Sequence, residues 1–265
     1  MYCKKTFKVR KLTELNDACE IYIDAIFPQV YAEVLELLEK GTKIHVLRSP
    51  SLVKKFRDKN GAKKSYDSDA IILAKIPRIH FKELTLKELN LLRFINIYEK
   101  CAEWKRIIKQ WTNIYSLDPL EKCAKGLRSI HNYYGHRIIE EIMRNENYAT
   151  MYRMVCEELE LKDSVEVAIL VARLPLNWKL SRLKGLLGLT PCGNRSYNHK
   201  LRRHLANLAV TIYLNNRQHG IGTKLFEDIN PIPRDKALYT LQLRILKILK
   251  KAWQQQRLCL LAGGQ

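Results

Sequence analysis

The chain has 265 residues, 47 of them Lys or Arg and 27 Asp or Glu, so its formal net charge is +20, while 46% of its residues are apolar. This balance predicts a folded protein with a polyanion, above all nucleic acid, as its partner; a merely solubilising surface charge is the alternative. No apolar run reaches the roughly 18 residues of a membrane-spanning helix, and the start lacks a signal-peptide core, so we expect a cytoplasmic protein without membrane contact. The seven cysteines form no C-x-x-C pair, so we expect no zinc ribbon.

The first predicted elements form a small α/β unit. The isoleucine-rich segment Glu20–Ile26 predicts a buried strand with Asp24 near its carboxyl end. A helix over Gln29–Glu39 and a second strand over Lys43–Leu47 follow, and a strand-helix-strand crossover of this length makes the two strands parallel. Such a unit cannot form a stable sheet alone, so we expect strands from a partner or a domain that has lost part of its fold.

A strongly basic run follows the second strand. Residues 40–64 contain nine Lys or Arg and one acid, and Asp67 and Asp69 then precede an apolar helix over Ala70–Ile76. These acids have two interpretations: favourable electrostatics at a helix N-terminus, or, together with Asp24, ligands for Mg²⁺ beside a phosphate. The lysines that we expect to hold a nucleic-acid backbone are Lys54, Lys55, Lys63 and Lys64.

The middle of the chain predicts one long helix from Phe81 to about Tyr115. Apolar residues recur along it every three or four positions, which is a heptad seam, and Asp118-Pro119 ends it. The narrow seam and the basic opposite face favour an antiparallel helix pair or a dimerisation arm, and the second of these would make the protein a homo-oligomer. The seam residues are Phe94, Ile97, Cys101, Trp104, Ile108, Trp111 and Tyr115.

Helices also dominate the predicted C-terminal part. Two are expected between Pro119 and Glu160, and another over Lys162–Arg173 with an Asp163-Ser164 cap. A short helix near Lys179–Leu187 leads into Gly-Leu-Thr-Pro, and the tail predicts an amphipathic helix over Arg234–Gln256.

The stretch from Leu183 to Ala209 is the strongest candidate site. It places one serine, Ser196, in a polar loop directly before a basic helix start. A serine nucleophile needs cations to stabilise a phosphorane and a group that accepts its proton; the loop supplies the first and no evident base. Ser196 as a simple turn or cap residue is the alternative. The cations expected to contact phosphate are Arg195, Lys200, Arg202 and Arg203.

Four segments together resemble the insertion-sequence transposases of the IS one-ten family. They are IYIDAIFPQVY, IHVLRSPSLVKKF, KSYDSDA and GLTPCGNRSYNHKLRRHL. The family patterns are E-x-T-G-x-Y, N-P-x-x-V-x-x-F, K-T-D-x-x-D-A, and G-L-x-P before a serine-glycine pair and a basic helix. Asp24 stands at the family's Glu, Asp69 at its last Asp, and GLTP keeps G-L-x-P. The chain departs from the pattern by placing Asp67 one position late, by lacking a glycine after Ser196, and by lacking the earlier strand with the first acid.

The resemblance implies an N-terminally shortened, divergent member with three parts. Residues 1–80 would be a truncated RuvC-like, RNase H-like α/β unit, residues 81–118 a coiled-coil linker, and residues 119–265 a helical transposase domain with a helix-hairpin-helix-like element. It further implies that Asp24, Asp67 and Asp69 hold Mg²⁺ and that Ser196 attacks DNA. A structured guide RNA and a multimer are its implied partners. Two other readings stay open: a non-catalytic DNA- or RNA-binding descendant, and a scaffolding protein unrelated to nucleic acid.

Overall fold

The computed structural model describes most of the chain. The described residues are 9–15, 17–49, 51–115, 118–190, 197–220, 223–226 and 233–262, with side chains as far as 258. They are mostly helical, with ten α-helices and a small mixed sheet of three strands, as expected for a small α/β part followed by helices. Among the described residues, no helix is long and apolar enough to cross a membrane. The chain divides into two compact units, Met1–Asn96 and Ile97–Gln265.

The sheet of the first unit confirms the predicted crossover and adds a strand. Its strands, in spatial order, are β1 (Glu20–Ile23), β2 (Lys43–Leu47) and β3 (Phe81–Glu83). β1 and β2 are parallel, and β2 and β3 are antiparallel with Leu47 opposite Phe81. The prediction that Phe81 begins the long helix was therefore wrong: its side chain is buried against the sheet, and this tertiary contact outweighs local helix preference.

Helices cover both faces of this sheet. Helix α1 (Tyr31–Glu39) buries Val34 and Leu37 against one face, where they meet Ile21 and Ile44. Helices α2 (Ser51–Lys59) and α3 (Tyr66–Lys75) cover the other face, through Val53 and Ile72. Because side chains alternate along a strand, β1 and β2 each contribute to both cores, whereas β3 contributes Phe81 to the second.

Helix α4 (Leu86–Tyr115) contains the predicted heptad seam, and the boundary between the two units falls within it. Its seam is buried at Cys101, but Trp104, Trp111 and Tyr115 are 53%, 51% and 62% exposed. The aromatic side chains in the second half of the seam are therefore only about half covered by the described part of the chain. Such an apolar stripe is available for another helix.

The second unit is helical throughout its described part. Its further helices are α5 (Asp118–Arg144), α6 (Glu146–Glu158), α7 (Val165–Arg173), α8 (Leu180–Leu186), α9 (His199–His219) and α10 (Arg234–Ala262). The predicted cap of α7 is confirmed, since Ser164 Oγ accepts a hydrogen bond from the Val167 amide at 3.2 Å. Helix α7 is the centre of the unit: residues 167–171 are all buried, and it packs against α5, α6 and α9.

Candidate nucleic-acid interface at the start of helix α9

Helix α9 begins where the sequence places the basic cluster. Asn198 caps it, because its Oδ1 accepts a hydrogen bond from the Leu201 amide at 3.1 Å. The first two turns then carry Lys200, Arg202 and Arg203. Unpaired amides and the helix dipole make the N-terminus of a 21-residue helix positive. This end of α9 therefore favours an anion.

The ends of the loop that carries Ser196 are held together beside α9. The Asn198 amide donates to the Leu186 carbonyl oxygen at 2.8 Å. Gly188 has φ +63°, and a Cβ there would lie 2.9 Å from Cγ of the Tyr197 ring, so the ring lies directly on the glycine. This close contact gives the glycine of GLTP a physical role. Ser196 and Arg195 lie outside the described residues.

A buried network of charged side chains lies behind the first turns of α9. Glu99 of α4 and His204 of α9 have side chains only 2% and 3% exposed. Glu99 Oε1 accepts from Arg173 at 2.7 Å and lies 3.3 Å from His204 Nε2, while Glu99 Oε2 accepts from Lys200 at 2.8 Å. The other ring nitrogen of His204 contacts Glu166 in a short hydrogen bond. The network joins α4, α7 and α9.

The network favours the charged forms of Glu99 and His204. Burial by itself would raise the pKa of Glu99, but hydrogen bonds from His204 and Lys200 and the charge of Arg173 outweigh burial and lower this pKa to about 2. Burial opposes protonation of His204, yet its bonds to Glu166 and Glu99 raise the pKa of the imidazole. Both ring nitrogens face carboxylates, so the imidazolium donates on both sides.

The three predicted phosphate-binding cations of α9 differ in their availability. Lys200 is 54% exposed, but its ammonium group is already bonded to Glu99. Arg202 is half-buried, and burial lowers its pKa; one guanidinium nitrogen has no hydrogen-bond partner within the described residues. Arg203 is exposed. Arg203 is therefore the cation most accessible to a bound phosphate.

The sequence did not single out Glu99 or His204, although it carries one signal for them. Lys200, His204 and Asn207 recur at the spacing of one helical face, and all three contact the carboxylates Glu99 or Glu166. A basic and polar stripe of this kind normally faces solvent. Only the packing of α4 and α7 against it buries His204 and brings the two carboxylates to the stripe.

The three predicted metal ligands occupy separate local settings in the first unit. Asp24 is exposed, and its Oδ1 accepts from the Ala25 amide at 2.8 Å. Asp67 is exposed in the first turn of α3, whereas Asp69 forms an ion pair with Arg57. Because α3 begins at Tyr66, Asp67 and Asp69 are both helical, and residues two apart on a helix point in different directions.

These carboxylates do not form a chelating group. In the part of the chain that the structure describes, no three His, Cys, Asp or Glu side chains are grouped so that they could hold a metal ion. A magnesium ion prefers several oxygen ligands in octahedral geometry. The residues present therefore do not fit the predicted Mg²⁺ site, and we derive no chemical step through a metal.

The predicted phosphate-binding lysines of the first unit are accessible. Lys54 and Lys55 lie on α2, Lys63 and Lys64 lie in the segment before α3, and all four are exposed. Within the described ranges none of them forms an ion pair with a carboxylate. Their charge is therefore not neutralised locally, which suits a polyanionic partner.

Comparison with known proteins gives no family assignment. No protein-family model matches the chain, and no curated protein sequence matches it significantly. The resemblance to IS one-ten transposases therefore rests on the quoted motifs alone.

Proposed function

We propose that this protein is a DNA-binding transposase or recombinase of the IS one-ten type, in which Ser196 is the nucleophile. The observation that supports the proposal is that the residues on either side of the Ser196 loop are tied together directly before a basic helix N-terminus, by the Asn198–Leu186 bond and the Tyr197–Gly188 contact. Helix α9 begins three residues after Ser196 in the sequence, so the proposal has the DNA phosphate bind at this end of α9, beside Arg203.

The proposed chemistry is an exchange of ester bonds. The Ser196 Oγ attacks the phosphorus of one phosphodiester and a serine-phosphate ester forms. The P–O bond to one DNA oxygen breaks, and that oxygen leaves as a hydroxyl group with the proton that Ser196 loses. Negative charge on the phosphorane would be stabilised by Arg203 and by the amides at the start of α9. The Glu99–His204–Glu166 network contributes indirectly, since it fixes the orientation of the helix that carries these groups.

The partners follow from the same proposal. The net charge of +20 suits DNA and a structured guide RNA. The exposed aromatic half of the α4 seam supports a homo-oligomer that assembles through this helix.

A cleavage assay tests the proposal. The full chain is incubated with supercoiled DNA, Mg²⁺ and RNA transcribed from its own locus, and the products are examined for a protein–DNA adduct that survives phenol extraction. We expect an adduct with the unmodified chain and none with Ser196→Ala. An equal yield of adduct from Ser196→Ala would eliminate the serine mechanism.

A non-catalytic nucleic-acid-binding descendant is the second candidate, and one observation favours it. Asp69 is neutralised by Arg57 rather than left free for a cation, and the carboxylates of the described residues do not fit a metal. This candidate predicts salt-dependent binding of DNA or RNA without an adduct under any metal or RNA condition. The same assay, combined with a filter-binding measurement, separates the two candidates.

A further inference from the structure

A second basic site lies in the second unit, Ile97–Gln265, and its residues are distant in sequence from the start of α9. A cavity of about 530 Å³ opens between the segment that leads into α8 and the middle of α10. We call it the lysine pocket. Its polar lining is formed by Asn177, Lys179, Lys247, Lys250, Lys251 and Gln254.

Helical spacing explains why three lysines line one pocket. Lys247, Lys250 and Lys251, with Gln254, follow the i, i+3, i+4, i+7 pattern, so they lie on one face of α10. Lys250 Nζ donates to the Leu176 carbonyl oxygen at 2.6 Å. This bond ties α10 to the segment before α8, and it brings Lys179 to the same pocket.

The pocket collects positive charge without neutralising it. Its lining contains no Asp or Glu. Among the residues that the structure describes, none of the four lysines forms an ion pair. Like charges gathered in a concave site repel one another, and bound anions relieve that repulsion. Lys251 also lines a neighbouring cavity with Glu157 and Glu158, and Lys250 is already bonded to the Leu176 carbonyl oxygen. Lys179 and Lys247 are therefore the members best placed to contact an anion in this pocket.

The dimensions indicate more than one anionic group. From Lys247 to Lys251 the helix rises about 6 Å, and Gln254 extends the polar lining to about 10 Å. Lysine acts on phosphate as a point charge with three donors, and the amides of Asn177 and Gln254 add polar contacts. A row of phosphates fits this arrangement better than one isolated ion.

We propose that the lysine pocket binds successive backbone phosphates of a nucleic-acid strand, at a site distinct from the start of α9. The proposal rests on the nucleic-acid binding proposed above, but not on the serine chemistry. With this pocket the second unit has two binding sites, which one long nucleic-acid strand or two different strands could occupy. Free polyphosphate has the same chemistry and is the alternative that the experiment must distinguish.

Lysine footprinting tests the assignment without any substitution. The full chain is acetylated with an amine-reactive reagent, alone, with a single-stranded oligonucleotide of defined sequence, or with tripolyphosphate, and each lysine is quantified by mass spectrometry. We expect the oligonucleotide to protect Lys179 and Lys247. Lys122 and Lys125 on α5, which are likewise exposed, are the internal controls and should stay reactive.

A matched pair of variants provides the second measurement. Lys179→Ala/Lys247→Ala should reduce the magnitude of the slope of log K against log salt for the oligonucleotide by about two, because each lost phosphate contact reduces it by about one. Lys122→Ala/Lys125→Ala removes the same charge and should leave the slope nearly unchanged. Trp178 lines the pocket and Trp253 lies on α10, so the fluorescence of these two tryptophans verifies that the variants fold.

The outcomes decide the proposal. Protection of Lys179 and Lys247 by the oligonucleotide, with the larger slope change in their variant, supports it. Protection by tripolyphosphate but not by the oligonucleotide overturns the strand assignment, and protection by neither overturns the site. Equal slope changes in both variants also overturn it. An absent DNA adduct with protected pocket lysines would refute only the cleavage function, so the two failures are distinguishable.

Discussion

Replacing Glu99 by Gln tests whether the buried network stabilises the second unit. The substitution keeps the shape of the side chain and removes its charge, which leaves Arg173, Lys200 and His204 around a neutral amide. The pKa of Glu99 falls from its ordinary 4.5 to about 2 in the folded protein, and each pKa unit corresponds to about 1.4 kcal/mol. We therefore expect a loss of about 3 kcal/mol at neutral pH, within the range measured when one partner of a buried pair is removed.

The pH dependence follows from the direction of the shift. A carboxylate whose pKa is lowered by folding stabilises the protein above its unfolded pKa, and this stabilisation disappears as pH falls through the folded pKa. Because Glu99 also raises the pKa of His204, the difference between wild type and Glu99→Gln should vary with pH in the histidine range. The part of the difference that comes from ionised Glu99 itself should be fully present above about pH 5. It should shrink between pH 4.5 and about 2.

Tryptophan fluorescence measures this unit specifically. All four tryptophans, Trp104, Trp111, Trp178 and Trp253, lie in the second unit, so urea titration of the full chain followed by fluorescence reports its unfolding. A loss of about 3 kcal/mol should also lower the melting temperature by roughly 6 to 12 °C for a unit of this size.

The control lies one turn further along the same helix. Glu103 pairs with Lys100 in an i, i+3 contact, and both side chains are largely exposed, at 44% and 59%. Glu103→Gln should change the stability far less, because exposed pairs contribute little. The reasoning is refuted if Glu99→Gln destabilises the unit no more than Glu103→Gln does.

Two further predictions concern stability. A histidine whose pKa is raised by folding stabilises the protein at low pH, and this contribution is lost as pH rises through the folded pKa. The unfolding free energy of wild type should therefore fall as pH rises past the ordinary histidine range, and this fall should disappear in His204→Gln. Urea titrations from about pH 6 to 9 measure the unfolding free energy, and equal pH slopes in both proteins would contradict the prediction. Gly188→Ala should destabilise the second unit by about 1 to 2 kcal/mol, because an L-residue is strained at φ +63° and its Cβ would contact the Tyr197 ring. Gly126 lies on α5 with open space around its Cα, so Gly126→Ala should instead stabilise the unit by up to about 1 kcal/mol. A melting temperature of Gly188→Ala above that of Gly126→Ala would show that the Gly188 contact is not required.

Much of the fold could be predicted from local pattern. The strand at Lys43–Leu47 and the starts of α9 and α10 follow from alternating or helical periodicity and from capping residues. The strand at Phe81 could not be predicted, because three residues carry too little periodicity to distinguish a strand from a helix start. Its pairing with β2 decides the matter.

Part of the candidate site could likewise be predicted from the sequence, and part depends on tertiary contacts. Basic residues before and within the first turns of α9 are visible in the sequence, as is the GLTP turn. The partners of those residues are not visible: Glu99 and Lys200 are about a hundred positions apart, and only packing brings their side chains to 2.8 Å. The convergence of Asp24, Asp67 and Asp69 likewise depends on tertiary placement, and the ion pair of Asp69 with Arg57 could not be inferred from spacing.

The sequence by itself determined the positive charge, the order of the helices and the basic start of α9, because these depend on residue type and on spacings of a few positions. The tertiary structure alone decided which charges are free. It buries Glu99 and His204 among the cations of α9, neutralises Asp69, and leaves Arg203 and the lysine pocket exposed. The physical reason is that the free energy of a charge depends on its burial and its partners, and both are set by contacts between residues far apart in the chain.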